Sequence, residues 1–262
     1  MEGDLVVRNV VLLLLFQLCV VVPAMGEKVL IVADEWPQME VLAKYLRAEG
    51  GYDVEKVEQD KLPESLSGYD GVFQFVHGTF NDAPAQALIE YAKNGGRLIV
   101  LHHGISSKKA ETKGWFALLG IALDRSTDAE HRYAWIDDVT NTFVNLNPAH
   151  YITSHNVTYR KTIEYQSSDQ PSKRVTLPAI EFLDTEVFLN HQFTDGREKT
   201  VLFGFQYQDP KTGKVYMQDR AGWFKPAGRG HVFYFQPGHA VSDFEHRDYC
   251  QILLNCLTWQ TP

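Results

Sequence analysis

Two hydrophobic periods alternate along the chain. Lys28 to Ala33 (KVLIVA) is a short apolar run rich in β-branched residues, after which Met39, Leu42 and Leu46 recur at helical spacing before Gly50-Gly51. The pair predicts a strand followed by a helix. Tyr52 to Val57 predicts a weaker strand, and Tyr69 to Val76 (YDGVFQFV) a stronger one. Asp82 as N-cap, Pro84 in the first turn and an apolar face of Ala87, Leu88, Tyr91 and Ala92 predict a second helix, which Asn94-Gly95-Gly96 ends. Arg97 to Leu101 (RLIVL) is almost continuously apolar, as a strand covered on both faces must be.

This alternation of strand and helix, with short glycine-bearing connections, predicts an α/β fold built on a doubly wound, mostly parallel, flavodoxin-like sheet. Between about Gly114 and Phe224 the pattern loosens into polar, aromatic-rich segments, among them Val157 to Tyr165, Ala179 to Leu189 and Thr200 to Tyr207. These read as added β strands and long loops covering the sheet. Gly230 to Gln236 (GHVFYFQ) returns as a core strand. Tyr249 to Trp259 closes the domain as a helix with Cys250, Leu253, Leu254 and Leu257 inward. There is no internal repeat.

The N-terminus changes which residues belong to that domain. Arg8 precedes a charge-free run from Val10 to Val22, and Pro23-Ala24-Met25-Gly26 follows with small residues. This is the pattern of a secretory signal, residues 1–26, cleaved near Gly26. The apolar run falls short of the about 20 residues that span a bilayer. An uncleaved anchor is the competing reading, and otherwise no stable membrane span remains. Removing 26 of the 262 residues leaves 236, enough for one domain over 27–262. Such a product is expected in a periplasm or outside the cell. The formal net charge is −8, and no dense block of Lys or Arg occurs, so nucleic acid is not the expected partner. Cys250 and Cys256 stand six apart on one helix and are placed to fill the core, not to pair with each other. Asn156-Val157-Thr158 is a glycosylation sequon if the source is eukaryotic. A homo-oligomer is left open.

Histidines recur where strands should end: His77 after Val76, His102 and His103 after Leu101, and His239 beyond Gln236-Pro237-Gly238. Parallel strands bring such ends to one edge of the sheet, where open α/β folds place their sites. His77, His103 and His239 each neighbour a glycine, which permits a sharp turn and close ligand approach. The turn after Leu101 is also where many hydrolases and amidotransferases carry a nucleophile. Here it reads His102-His103-Gly104-Ile105-Ser106, with no thiol and no G-x-S-x-G, which excludes glutaminase chemistry at this position. Ser106 and Ser107 are hydroxyls better suited to capping.

Glu130-His131 precedes Arg132-Tyr133-Ala134-Trp135, and Asp243, Glu245 and His246 follow His239 closely. Imidazole with carboxylate serves general acid/base catalysis or binds a divalent metal such as zinc, with His103, His131 and His239 as candidate ligands. No compact metal signature such as H-E-x-x-H is present. Trp36, Tyr133, Trp135, Trp223 and His102 are candidates for holding a sugar, because aromatic faces stack on its C–H surfaces while its hydroxyls need polar partners. Trp115 and Phe224 are further aromatic candidates.

Gly228-Arg-Gly-His-Val-Phe-Tyr-Phe-Gln-Pro-Gly-His239, with Leu257-Thr-Trp259 after it, resembles the trehalose-utilisation, or ThuA-like, family. Gly95 to His102 is similar to that family's glycine-rich lead into a strand ending in His. Leu119-Gly120 before His131, Glu186-Val-Phe188 and Trp223 resemble its other landmarks. Thr185 stands where an acidic residue is expected, and Asn147-Pro148 where His-Pro is common. The resemblance implies a class I glutamine amidotransferase-like sheet without the catalytic thiol, and a role in catabolism of trehalose-like disaccharides. It leads to the expectation of an exported hydrolase or lyase acting on a glycoside or 3-keto-disaccharide. His103, His239, His77 and His131 would form its site, with Glu186 or Asp243 orienting an imidazole. The alternative is a sugar-binding or interaction module that kept the fold without catalysis.

Overall fold

The computed structural model describes residues 27–128 and 131–261, so the N-terminal stretch read as an export signal, and Glu130, lie outside the described residues. Chain order begins β1 (Lys28–Ala33), α1 (Pro37–Gly50), β2 (Asp53–Val57), β3 (Gly71–Phe75), α2 (Asp82–Lys93) and β4 (Arg97–Leu101). After these come α3 (Trp115–Leu119), β5 (Ile121–Leu123), β6 (Ala134–Asn145), α4 (Tyr151–Ser154), β7 (Lys161–Tyr165) and β8 (Val175–Leu189). The chain ends with β9 (His191–Phe193), β10 (Thr200–Gln208), β11 (Val215–Ala227), β12 (Gly230–Phe235), α5 (Val241–Glu245) and α6 (Arg247–Thr258). Ten strands form one large mixed sheet in the order β2-β1-β3-β4-β12-β11-β10-β6-β8-β7. The first five run parallel; from β12 onward every neighbour is antiparallel.

The parallel half is the expected doubly wound α/β unit. One face of β1, β3 and β4 packs Val29, Ile31, Phe73, Phe75, Ile99 and Leu101 against Met39, Leu42 and Leu46 of α1 and Tyr249, Ile252 and Leu253 of α6. The other face packs Leu30, Val32, Val72, Leu98 and Val100 against Ala85, Leu88 and Ile89 of α2 and Trp115 of α3. Both faces of these strands are therefore buried, which is why RLIVL carries no polar alternation. Gly51 ends α1 in the left-handed region at φ 71°, a conformation that glycine takes without a Cβ penalty. Asp82 is the first residue of α2 and not its cap, which is Asn81; the Asp82 carboxylate instead accepts the Lys113 N–H at 2.8 Å.

The segments expected to cover the sheet extend it instead. β6 and β11, of 12 and 13 residues, run through sequence that read as loop because of its polar content. In β11 that polarity is paired: Arg220 bridges to Asp169, and Lys225 to Asp195. β6 loses its alternation at a bulge, where its register with β8 shifts between Ile136 and Val139 and Asp138 sits at φ 54°. Cys250 and Cys256 are buried and free. Among the described residues, no helix is long and apolar enough to cross a membrane.

Candidate functional site

The carboxyl ends of β1, β3, β4 and β12 lie side by side, and the residues that leave them supply most of the site. β4 runs directly into a tight helical turn, His102–Ile105, and His102 takes φ 42° there. This is a strained conformation for a residue with a Cβ. It is the place a nucleophile takes in the elbow folds, now occupied by an imidazole. Gly104 lets the turn close, because a Cβ there would lie 2.1 Å from Val100 Cγ1. Gly238, at φ 143°, brings the loop after β12 to within contact of His102.

From the antiparallel half, β8 reaches across with Glu186. Its Oε2 lies 2.8 Å from His102 Nε2, 3.1 Å from His103 Nε2 and 3.5 Å from His239 Nδ1. His102, His103 and Glu186 are buried, while His239 is partly open to solvent. His102 Nδ1 lies 2.7 Å from the Gln236 carbonyl oxygen. That oxygen can only accept, so Nδ1 carries a proton, and in the neutral ring Nε2 would present its lone pair to Glu186. His102 Nε2, His239 Nδ1 and Glu186 Oε2 are all buried atoms without a hydrogen-bond partner, despite these short separations. The atoms are close, but their directions are not those of hydrogen bonds.

The charge distribution follows from burial and these contacts. Burial opposes ionisation of Glu186, but the imidazole contacts, that of His102 foremost, outweigh it and hold the carboxyl well below the usual carboxylate range. Burial, and then His102, push His103 down to about 3, so its ring is neutral and its lone pair available. His239 is raised, chiefly by its contact with Glu186 and against its partial burial. The ligating atoms of His102, His103, Glu186 and His239 all lie within 4.8 Å of one another. Zinc bonded to imidazole at about 2.0–2.1 Å in a tetrahedron sets its ligand atoms roughly 3.3 Å apart. The three separations at Glu186 bracket that value, so these residues fit a divalent cation.

Asp243 does not orient an imidazole, as the sequence suggested; its buried carboxylate fixes the loop that carries His239. Oδ2 accepts from Gly238 N at 2.9 Å, Ala240 N at 3.3 Å and Thr185 Oγ1 at 2.7 Å. Thr185 thus has a definite task beside Glu186, donating where an acidic residue could only repel. His77 stands at the edge of the cluster, its ring 4.1 Å from that of His103 and its Nδ1 2.9 Å from Glu35 Oε1. His131 is not brought to the site. It lies in the loop before β6, exposed, with Nδ1 2.7 Å from Asp128 Oδ2. The candidate ligand set accordingly loses His131 and gains His102 and Glu186.

The aromatic candidates separate as well. Trp223 is fully buried against Tyr234 and Phe193 and offers no open face for a sugar, while Trp36 packs partly buried against the core. Tyr133 is buried and stacked on Phe188, whose ring is 4.9 Å from His102. Trp135 is 56% exposed and, with Tyr133, Ser107, Arg125 and Arg132, lines a depression of about 330 Å³. Two groups escaped the sequence reading. Glu35 follows β1 in a polar stretch, and Asp137 occupies the β6 bulge opposite Glu186, where its own desolvation and the Glu186 charge raise its pKa. A carboxylate at a strand end was the available signal for Glu35. Nothing in one sequence announces a bulge.

The ThuA family model, described as trehalose utilisation, matches residues 28–260. No curated protein matches the chain. Among solved structures, a ThuA-like protein from Bacteroides uniformis is similar at 16% identity and a TM-score of 0.57, over 88% of this chain and 89% of that one. A cytoplasmic protein from Salmonella typhimurium is similar at 12% identity and 0.56, over 88% of this chain and 98% of that one. A β-galactosidase from Bacillus circulans gives 11% and 0.53 over 88% of this chain but 30% of its own. At these identities the likenesses show the fold.

Proposed function

The chain belongs to the ThuA family, whose description as trehalose utilisation supports a carbohydrate-related role, and from that premise we propose that it is a metal-assisted enzyme acting on a glycoside or 3-keto-disaccharide. One observation carries the reading: His102, His103 and His239 turn ring nitrogens onto a single oxygen of Glu186 without making well-directed hydrogen bonds. A divalent cation there would polarise a carbonyl or hydroxyl oxygen of the sugar. His102, His103, Glu186 and His239 would hold it. His102 is fixed by Gln236, and His239 by the loop that Asp243 pins.

The remaining groups act on substrate. In a 3-keto sugar the C–H beside the carbonyl is acidic, and a base at the pocket mouth can take that proton and promote elimination at the glycosidic bond. Asp137 in the β6 bulge is placed to move protons there, and His77, beside Glu35, stands at the edge of the cluster. Trp135 supplies a face for the sugar ring. Export to a periplasm or beyond belongs to the same proposal and rests on Arg8 and the apolar run from Val10 to Val22.

The test is turnover of 3-keto-glucosides by metal-loaded protein. The reading expects activity that is lost in His239→Ala and His103→Ala. Wild type and variants equally inactive, with tight sugar binding insensitive to chelator, would favour a binding module instead.

A further inference from the structure

A second group of potential ligands adjoins the first and shares one residue with it: Glu35, His77 and His103 also place one ligating atom each within 4.8 Å of the others. Glu35 follows β1 and His77 follows β3, adjacent parallel strands, so the sheet itself sets the two side by side. Their contact is 2.9 Å between His77 Nδ1 and Glu35 Oε1, and the side chains remain 38% and 36% exposed. That exposure leaves room for water to complete a coordination shell.

One further observation points to a ligand. His103 turns Nε2 toward Glu186, which leaves Nδ1 as its second donor, and Nδ1 is buried without a partner. The peptides of His77 and Gly78 are also held from both sides by opposite charges. Asp34 accepts their N–H groups at 2.6 and 2.8 Å, and the buried Lys109 ammonium donates to their carbonyls, both at 2.8 Å.

We propose that Glu35, His77 and His103 form a second divalent-cation position, so that the site is a two-metal centre joined through the His103 ring. The proposal rests on the metal-assisted reading given above. Two imidazole-ring nitrogens and one carboxylate oxygen are a ligand set that zinc, manganese and iron all accept, with open positions for water or sugar oxygens. Fewer protein ligands and greater exposure make this position the weaker of the two. Joining the ions through both nitrogens of one ring requires His103 to give up its N–H proton to solvent when the second ion binds. It also sets them farther apart than the roughly 3.5–4 Å of directly bridged pairs.

The experiment is zinc or manganese titration of the full chain followed by elemental analysis after gel filtration, with cobalt absorption spectra as an independent readout. Wild type is expected to take up two ions, the second with weaker affinity. Glu35→Gln and His77→Gln are partly exposed changes expected to keep the fold by thermal melting, and each should retain only the first, tighter ion. Wild type binding one ion, with both variants unchanged, would overturn the second position and leave the first intact. Wild type binding no ion would overturn both.

Discussion

Glu186 Oε2 lies 2.8 Å from His102 Nε2, yet His102 has already committed its Nδ1 proton to the Gln236 carbonyl 2.7 Å away. In the neutral ring the Nε2 and carboxylate lone pairs would face each other at that distance, which requires positive charge between them. A proton would serve one such contact. Three imidazoles converging on one oxygen are met more simply by a cation, which also accounts for the missing hydrogen-bond directions. Glu186→Gln should therefore weaken divalent-metal binding by more than the roughly 10- to 100-fold that losing an outer-shell partner costs. Equilibrium dialysis against zinc measures this.

Asp243 acts through structure and not by touching substrate. Its carboxylate accepts from two backbone N–H groups and the Thr185 hydroxyl in a buried setting, and Asp243→Ala leaves all three without it. The expected loss is about 3 kcal/mol in urea unfolding, against about 1 kcal/mol for Thr185→Val. Weaker metal binding should accompany the first change, because the His239 loop would no longer be pinned.

How far the sequence foretold this site depended on which half of the sheet a residue came from. His77, His102, His103 and His239 were legible because parallel strands read as apolar runs and their ends fall at countable positions. Glu186 was found through a family landmark, but not its central place, since its strand arrives from the antiparallel half and meets the histidines across 83 residues of chain separating it from His103. β6 and β11 were unreadable for a related reason. Their polar residues are satisfied by partners far along the chain, such as Asp169 for Arg220, so local pattern predicts loop where pairing makes strand. Trp223 misled because an indole in the core and one in a pocket have the same sequence.

Acid should destabilise the fold through His191, which is not among the candidate ligands. Burial, reinforced by Arg220 and Lys199, pushes its ring down to about 3. The unfolded ring titrates near ~6.5, so below that pH the unfolded chain binds a proton that the folded chain does not. Its contribution is complete above pH ~6.5 and declines as pH falls toward about 3, by roughly 1.4 kcal/mol per unit. His191→Gln should flatten that part of the stability profile, measured as the difference between wild-type and variant urea midpoints from pH 7 to 4.

Trp135 separates binding from folding. At 56% exposure its removal should leave stability within about 0.5 kcal/mol. Loss of one aromatic face of about 1 kcal/mol corresponds to roughly a fivefold rise in KM for a sugar substrate, with kcat little changed. An unchanged KM would remove Trp135 from the binding surface.

The central claim is that His102, His103, His239 and Glu186 hold a divalent cation. Anomalous diffraction at the zinc edge, from crystals of the full chain grown with zinc, tests it most directly. The account predicts a peak bonded to His102 Nε2, His103 Nε2, His239 Nδ1 and Glu186 Oε2 at about 2.0–2.2 Å. Crystals in which these four side chains surround no anomalous density would contradict it.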